Sequence, residues 1–357
     1  MSSTILESAK PGWIQQRLAR GNWIQSPGFD VFLLIFAPLV TLPIIAGLYW
    51  RIPILAIGGG LVLAFAHYGS TLSFYFWEEN REYQRARWIA FFGGPVIITV
   101  VYVLLLGFAV PYLIQFVIFF WNTFHVARQN NGILSIYRQR SGVVDVVQRD
   151  AANNAILATS LFLALWNIDT HKEVSELFGL VAADFTEIVK LGAGLAATYF
   201  ICRLALALWR REQPIGVPEG LFLCAGLAFF YPYLFIRNSE IATFAMLLPH
   251  YVQYMALVWL LHRRKFGAAT TGAPVPLLRA SARLVYLLPL LFAVGCSFYL
   301  MKEFFQSRGQ LYWFESLYLL IALQHFYADG LIWSFRQPHV RKTIGTFLFR
   351  QRASATP

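Results

Sequence analysis

The stretch PILAIGGGLVLAFAHYGSTLSFYFW, residues 53–77, contains no charged residue. As a helix it is long enough to cross a hydrocarbon layer about 30 Å thick. Near its middle it nevertheless carries an ionisable side chain, His67. The run asks for a membrane, and the imidazole inside it asks for a partner.

The rest of the chain repeats the first half of that pattern. Of 357 residues, 58% are hydrophobic, 17% aromatic and 13% charged, and the mean hydropathy is +0.55. A soluble domain carries about a quarter charged residues. Apolar blocks occupy 30–50, 53–77, 88–107, 109–128, 152–168, 188–209, 218–236, 241–262, 284–301 and 312–335. Their lengths are near the roughly 20 residues of a spanning helix. The expected fold is therefore an all-α, polytopic integral membrane bundle of about ten transmembrane helices.

Charge orients it. Most of the 29 Lys and Arg residues fall in 1–29, 78–87, 129–151, 210–217, 263–283 and 336–357, alternate gaps between the blocks. Basic residues stay on the cytoplasmic side of a membrane protein, so both termini are expected there, in the inner or plasma membrane. Residues 1–29 read as a cytoplasmic interfacial segment, 30–335 as one transmembrane domain, and 336–357 as a basic cytoplasmic tail. In the outer loop 169–187, Val174, Leu177, Phe178 and Val181 have helical spacing and predict a short surface helix. No short apolar run of the signal-peptide kind precedes Asp30. The net charge of +11 is spread between apolar blocks and argues against nucleic-acid binding. Cys202, Cys224 and Cys296 lie inside apolar blocks without metal-ligand spacing, so they imply no disulfide framework.

Of the seven histidines, His171, His262 and His339 fall in loops or at block ends. The other four, His67, His125, His250 and His325, lie in the second, fourth, eighth and tenth blocks. On the expected topology those four helices run in the same direction. At a rise of roughly 1.5 Å per residue, three of the imidazoles share a depth, and His125 joins them if its helix is tilted or shifted. One intramembrane histidine is often only a hydrogen bond between helices. Four on separate helices at similar depth point to a shared site, because ionisable groups are costly in a bilayer and neutral imidazole is a common metal ligand.

Neighbouring residues extend the candidate site. Gln129 lies four residues after His125, and Asp329 lies four after His325, each on the same helix face as its histidine. Asp329 can be a carboxylate ligand, or the acceptor that fixes an imidazole tautomer, or a salt-bridge partner of Arg128 or Arg203. Gln253 and Tyr254 follow His250 by one turn, while Tyr68 and Tyr251 directly follow histidines. The absence of cysteine from this set argues against structural zinc or an iron–sulfur cluster, and an imidazole set with one carboxylate suits iron better than copper or zinc.

Four dispersed histidines on a polytopic chain resemble the histidine-rich integral membrane oxygenases. The clustered HxxxH and HxxHH boxes of the desaturase and hydroxylase families are missing. The arrangement is more similar to the bacterial membrane β-carotene dioxygenase family. That resemblance implies mononuclear non-haem iron on His67, His125, His250 and His325, and a carotenoid-like substrate. The expected function is a metal-dependent oxygenase, hydroxylase or desaturase acting on a lipid or other lipophilic molecule, with Asp329 and Gln129 beside the metal and an electron donor as a further partner. Two alternatives use the same residues. One is a b-type haem electron-transfer protein with paired axial histidines. The other is a proton- or ion-coupled transporter, for which Gly58–Gly60, Gly93–Gly94–Pro95 and Pro249 are candidate helix breaks.

Overall fold

The computed structural model of the chain describes residues 22–50, 53–108, 111–142, 145–168, 183–211, 215–267 and 280–349. Most of the segment 1–29, the surface helix expected in 169–187 and the last residues of the tail lie outside the described residues. Among the described residues the structure is helical throughout, without strands. Its longer helices are α1 (Leu42–Tyr49), α2 (Pro53–Leu72), α3 (Gly94–Gly107), α4 (Pro111–Ser141), α5 (Val146–Leu165), α6 (Ala183–Trp209), α7 (Val217–Ala228), α8 (Ser239–Phe266), α9 (Leu284–Ser307) and α10 (Leu311–Ile332).

Local chemistry sets several of the ends. Asp145 accepts a hydrogen bond from the Gln148 amide at 3.2 Å and starts α5, and Asn238 accepts from the Ile241 amide at 2.9 Å near the start of α8. The turn from α9 to α10 uses Gly309 at φ 68°, a left-handed conformation that suits a residue without Cβ. Around it the Gln310 amide donates to the Phe305 carbonyl at 2.8 Å and the Gly309 amide to that of Gln306 at 3.0 Å. This paired closure satisfies carbonyls that the helix end would otherwise strand.

Among the described residues, four helical stretches are long and apolar enough to cross a membrane: Ile89–Gly107, Phe185–Trp209, Ile241–Phe266 and Leu284–Ser307. Three of them are only 11%, 11% and 17% buried over their most apolar window, whereas Ile241–Phe266 is 72% buried. The stretch within α8 is thus the central one, and the others turn their apolar side chains outward. Val96, Ile97, Val100, Val103 and Leu104 are exposed on α3, as are Ile188, Leu191 and Leu195 on α6, and Val285, Leu288, Phe292 and Leu300 on α9. Meanwhile His67, Thr71, Asn130, Gln148, Glu219, His250, Gln253 and Asp329 are buried. Apolar outside and polar inside is a poor arrangement in water and a suitable one in lipid.

Of the four histidine-bearing helices, α2 and α10 pack against each other, with α8 against α2 and α4 against α10. Helix α2 contacts α8, α9 and α10, and α10 also contacts α3 and α4. The close approach of α9 to α2 depends on Gly295, where a Cβ would overlap the backbone of Val62. Helices α2 and α8 continue through the Gly58–Gly60 run and through Pro249, while a π-helical turn, Ile89–Gly93, passes into α3 at Gly94.

Two buried polar clusters fasten the bundle away from the histidines. The Asp30 carboxylate is fully buried and accepts from the amides of Ile24 and Gln25 at 2.5 and 2.9 Å and from the Tyr137 hydroxyl at 3.1 Å. It ties the chain entering the bundle to α4. On α7, Glu219 Oε1 accepts from Arg138 Nε of α4 at 3.2 Å and from Arg211 Nη1 at 3.3 Å. All three of these charged side chains are less than a tenth exposed.

Candidate metal centre

Each histidine comes from its own helix: His67 from α2, His125 from α4, His250 from α8 and His325 from α10. The packing brings their rings into a closed circuit. Ring centres are 4.7 Å apart for His67–His250, 5.1 Å for His250–His125, 5.2 Å for His125–His325 and 4.3 Å for His325–His67. One ring nitrogen from each lies within 4.8 Å of the other three. All four side chains are buried, with His67 completely so.

Their hydrogen-bonding capacity is spent only in part. Both nitrogens of His67, Nε2 of His125, Nδ1 of His250 and Nε2 of His325 are buried without a hydrogen-bond partner. Leaving a buried polar atom unpaired costs about 1–3 kcal/mol. Five such atoms at one spot are therefore a serious charge against a fold whose whole stability is about 5–15 kcal/mol. An ion that takes one lone pair from each ring removes most of that cost.

The geometry suits such an ion. Ligand nitrogens about 2.1 Å from a metal are at most about 4.2 Å apart, so the widest spacing here closes with shifts of a few tenths of an ångström per ring. Adjacent imidazoles on one ion hold their ring centres roughly 4.5–5 Å apart, and the four neighbouring pairs lie within a few tenths of an ångström of that range. Two imidazoles facing each other across an ion would stand roughly 6 Å apart, so none of the four close pairs leaves a slot for a porphyrin between its rings.

Asp329, one turn beyond His325 on α10, closes the site on one side. Its Oδ2 lies 3.8 Å from His125 Nε2 and 3.7 Å from His325 Nε2. Its Oδ1 accepts from the Tyr254 hydroxyl at 2.7 Å and from the Thr71 hydroxyl at 3.1 Å. Thr71 Oγ1 also meets His325 Nδ1 at 2.9 Å. With the Thr71 proton assigned to the carboxylate, the hydroxyl oxygen is free to accept from Nδ1–H of His325. That assignment leaves the lone pair on Nε2, the nitrogen without a partner. Neither Arg128 nor Arg203 makes an ion pair with Asp329 among the described residues.

The side chain of Gln129, whose Oε1 is buried without a hydrogen-bond partner, lies between α4 and α8. Its amide nitrogen donates to the backbone carbonyl of His250 at 3.3 Å, which braces α8 against α4. Gln253 turns away and donates to the Leu34 carbonyl at 2.6 Å. Aromatic side chains complete the wall: Tyr251 and Tyr254 lie 4.9 and 4.3 Å from the His67 ring, and Phe326 lies 4.7 Å from His125.

Comparison with protein-family models, curated proteins and solved structures finds no match.

The reading of this site therefore rests on its own residues. The buried four-histidine group is one that can hold a metal ion. Cys202, Cys224 and Cys296 lie outside it. Sequence reasoning passed over two of its supports. Thr71 lies four residues after His67 and Trp333 four residues after Asp329, the helical spacing that singled out Asp329 from His325.

Thr71 gives a direct test of the network. Thr71→Val keeps the shape and removes the hydroxyl that holds both His325 and Asp329. Metal affinity is expected to fall about 10–100-fold, the usual effect of losing a residue that orients a ligand. Competition with a chelator of known affinity measures it, and an unchanged constant would mean that Thr71 does not orient His325.

Proposed function

We propose that the chain is a multi-pass integral membrane oxidoreductase that holds non-haem iron on His67, His125, His250 and His325. It acts as an oxygenase, hydroxylase or desaturase on a lipid or other lipophilic substrate, with both termini on the cytoplasmic side of the inner or plasma membrane. One observation carries the reading: four buried imidazoles from four helices, each with a ring nitrogen lacking a partner, converge on one point.

The donor set favours iron. Imidazole with a nearby carboxylate and no thiolate suits iron, with copper or zinc as less suitable occupants. The ring spacings support a bare ion over haem. When bound, iron supplies the activation of dioxygen, and the protein supplies binding, orientation and exclusion of water. Thr71 and Asp329 hold His325 in one tautomer. Asp329 Oδ2, beside two ring nitrogens, is placed either to join the ligands or to accept a proton at that atom. Tyr251 and Phe326 pack aromatic surface against His67 and His125 and keep water out. A lipophilic molecule reaches such a site from the bilayer at less cost than from water. A dioxygenase needs no further reductant, whereas a hydroxylase or desaturase takes electrons from a separate donor.

Oxygen uptake by the iron-loaded protein in detergent, with and without added lipid or carotenoid, tests the proposal. The expected result is uptake that needs both iron and the lipophile and is absent in His67→Ala. Iron-loaded protein that consumes no oxygen with any lipid or carotenoid class would overturn the oxygenase reading.

A further inference from the structure

Tyr254 stands between the histidine site and the end of α10. Its ring is 4.3 Å from that of His67 and 5.9 Å from that of His325. Its hydroxyl donates to Asp329 at 2.7 Å and accepts from Trp333 Nε1 at 3.1 Å. The Tyr254 and Trp333 rings are 5.7 Å apart. Trp333 itself is half-buried just past the end of α10. Two oxidisable rings thus lead in hydrogen-bonded series away from the centre.

The other tyrosines near the site are built differently. Tyr68 meets the hydroxyl of Tyr318 at 3.4 Å, and the buried Tyr251 hydroxyl has no hydrogen-bond partner. Neither reaches a carboxylate. A phenol gives up an electron readily only when its proton has somewhere to go, and Tyr254 alone among the three has a carboxylate in line.

We infer that Tyr254 and Trp333 form a relay that carries oxidising equivalents away from the histidine site when no substrate consumes them. The inference rests on the oxidoreductase reading. In the first step Tyr254 gives one electron to the oxidised centre, and its phenolic proton moves along the hydrogen bond to Asp329, leaving a neutral phenoxyl. In the second, the Trp333 indole gives one electron to the phenoxyl, and the proton returns from Asp329 to restore the Tyr254 hydroxyl. The indole radical cation then takes one electron from a low-molecular-weight thiolate in the surrounding water, which becomes a thiyl radical. Charge and protons balance, and the site is protected from oxidising its own histidines.

The test is freeze-quench electron paramagnetic resonance on detergent-purified protein whose iron content has been measured first. Hydrogen peroxide is the oxidant, and no lipophile is added. Wild type is expected to give a phenoxyl signal that decays faster when a thiol is present. Tyr254→Phe, which keeps the ring and the packing, is expected to lose that signal while retaining its iron. Trp333→Phe should retain the signal, prolong its lifetime and abolish the effect of thiol. A phenoxyl signal that survives in Tyr254→Phe, or a lifetime unmoved in Trp333→Phe, overturns the relay. Protein without iron ends the oxidoreductase reading, and a photogenerated ruthenium(III) oxidant in solution then tests the pair alone. In that case radical exchange between Trp333 and Tyr254 supports the relay, and identical radical spectra in wild type and Tyr254→Phe overturn it.

Discussion

His250→Ala is expected to purify as an inserted, folded protein that has lost its metal. The residue is 1% exposed and comes from the central helix, and its ring neighbours both His67 and His125. Alanine removes one of four donors and leaves the remaining imidazoles facing a gap. Loss of a residue that merely orients a ligand costs roughly 10–100-fold in affinity, so loss of a ligand should cost more than about 100-fold. The same outcome is expected for His67→Ala, His125→Ala and His325→Ala, because the four rings form one circuit. Elemental analysis of each variant after dialysis measures it. Full metal retention in all four would mean that the imidazoles serve only to join helices.

Glu219→Ala is expected to have the largest effect on stability away from the four histidines. Its carboxylate is the shared acceptor of two buried guanidinium groups, Arg138 and Arg211. Removing it leaves two like charges side by side without an acceptor. Breaking a buried ion pair from one side costs about 3–5 kcal/mol, whereas replacing the whole group by apolar side chains is often neutral. Thermal unfolding in detergent should therefore show a large drop for Glu219→Ala. The triple change Arg138→Met, Glu219→Leu and Arg211→Met should recover most of it. A single variant as stable as wild type would show that the three side chains do not share one buried cluster.

The helical class and the four histidines were legible because both signals are local. A run such as 53–77 declares its length and polarity in the chain itself, and an imidazole within it has few ordinary uses. A helix lies at each apolar block, although by length and composition four stretches qualify as candidate membrane spans among the described residues. The depth of His125 was harder to read. Its apolar block stops near Arg128, but α4 runs on through Asn130 and Asn131 to Ser141. Those asparagines are buried, so polar sequence there marks packing within the bundle and not the end of a helix. For the same reason the end of an apolar block does not give the depth of a histidine.

The supporting residues were less visible. Threonine, tyrosine and tryptophan are ordinary constituents of apolar helices, and only its i+4 spacing from His67 sets Thr71 apart from Thr99 in the chain. Only packing shows that Thr71 meets Tyr254, His325 and Asp329 at the histidine site, while Thr99 donates to the Pro95 carbonyl and accepts from Gln324 of α10 away from it. His262 shows the converse. Its place at a block end suggested no special environment, yet it is buried, with Nδ1 2.7 Å from Ser281 Oγ and Nε2 3.2 Å from Ser73 Oγ. With both nitrogens engaged, it differs from the four histidines of the centre in the one property that matters there.

That property can be tested most directly by elemental analysis of wild-type protein purified in detergent without chelators, with an absorption spectrum of the same sample. The expected result is close to one iron per chain and no Soret band. A Soret band would contradict the bare-ion centre, and a sample free of any transition metal would contradict the centre itself.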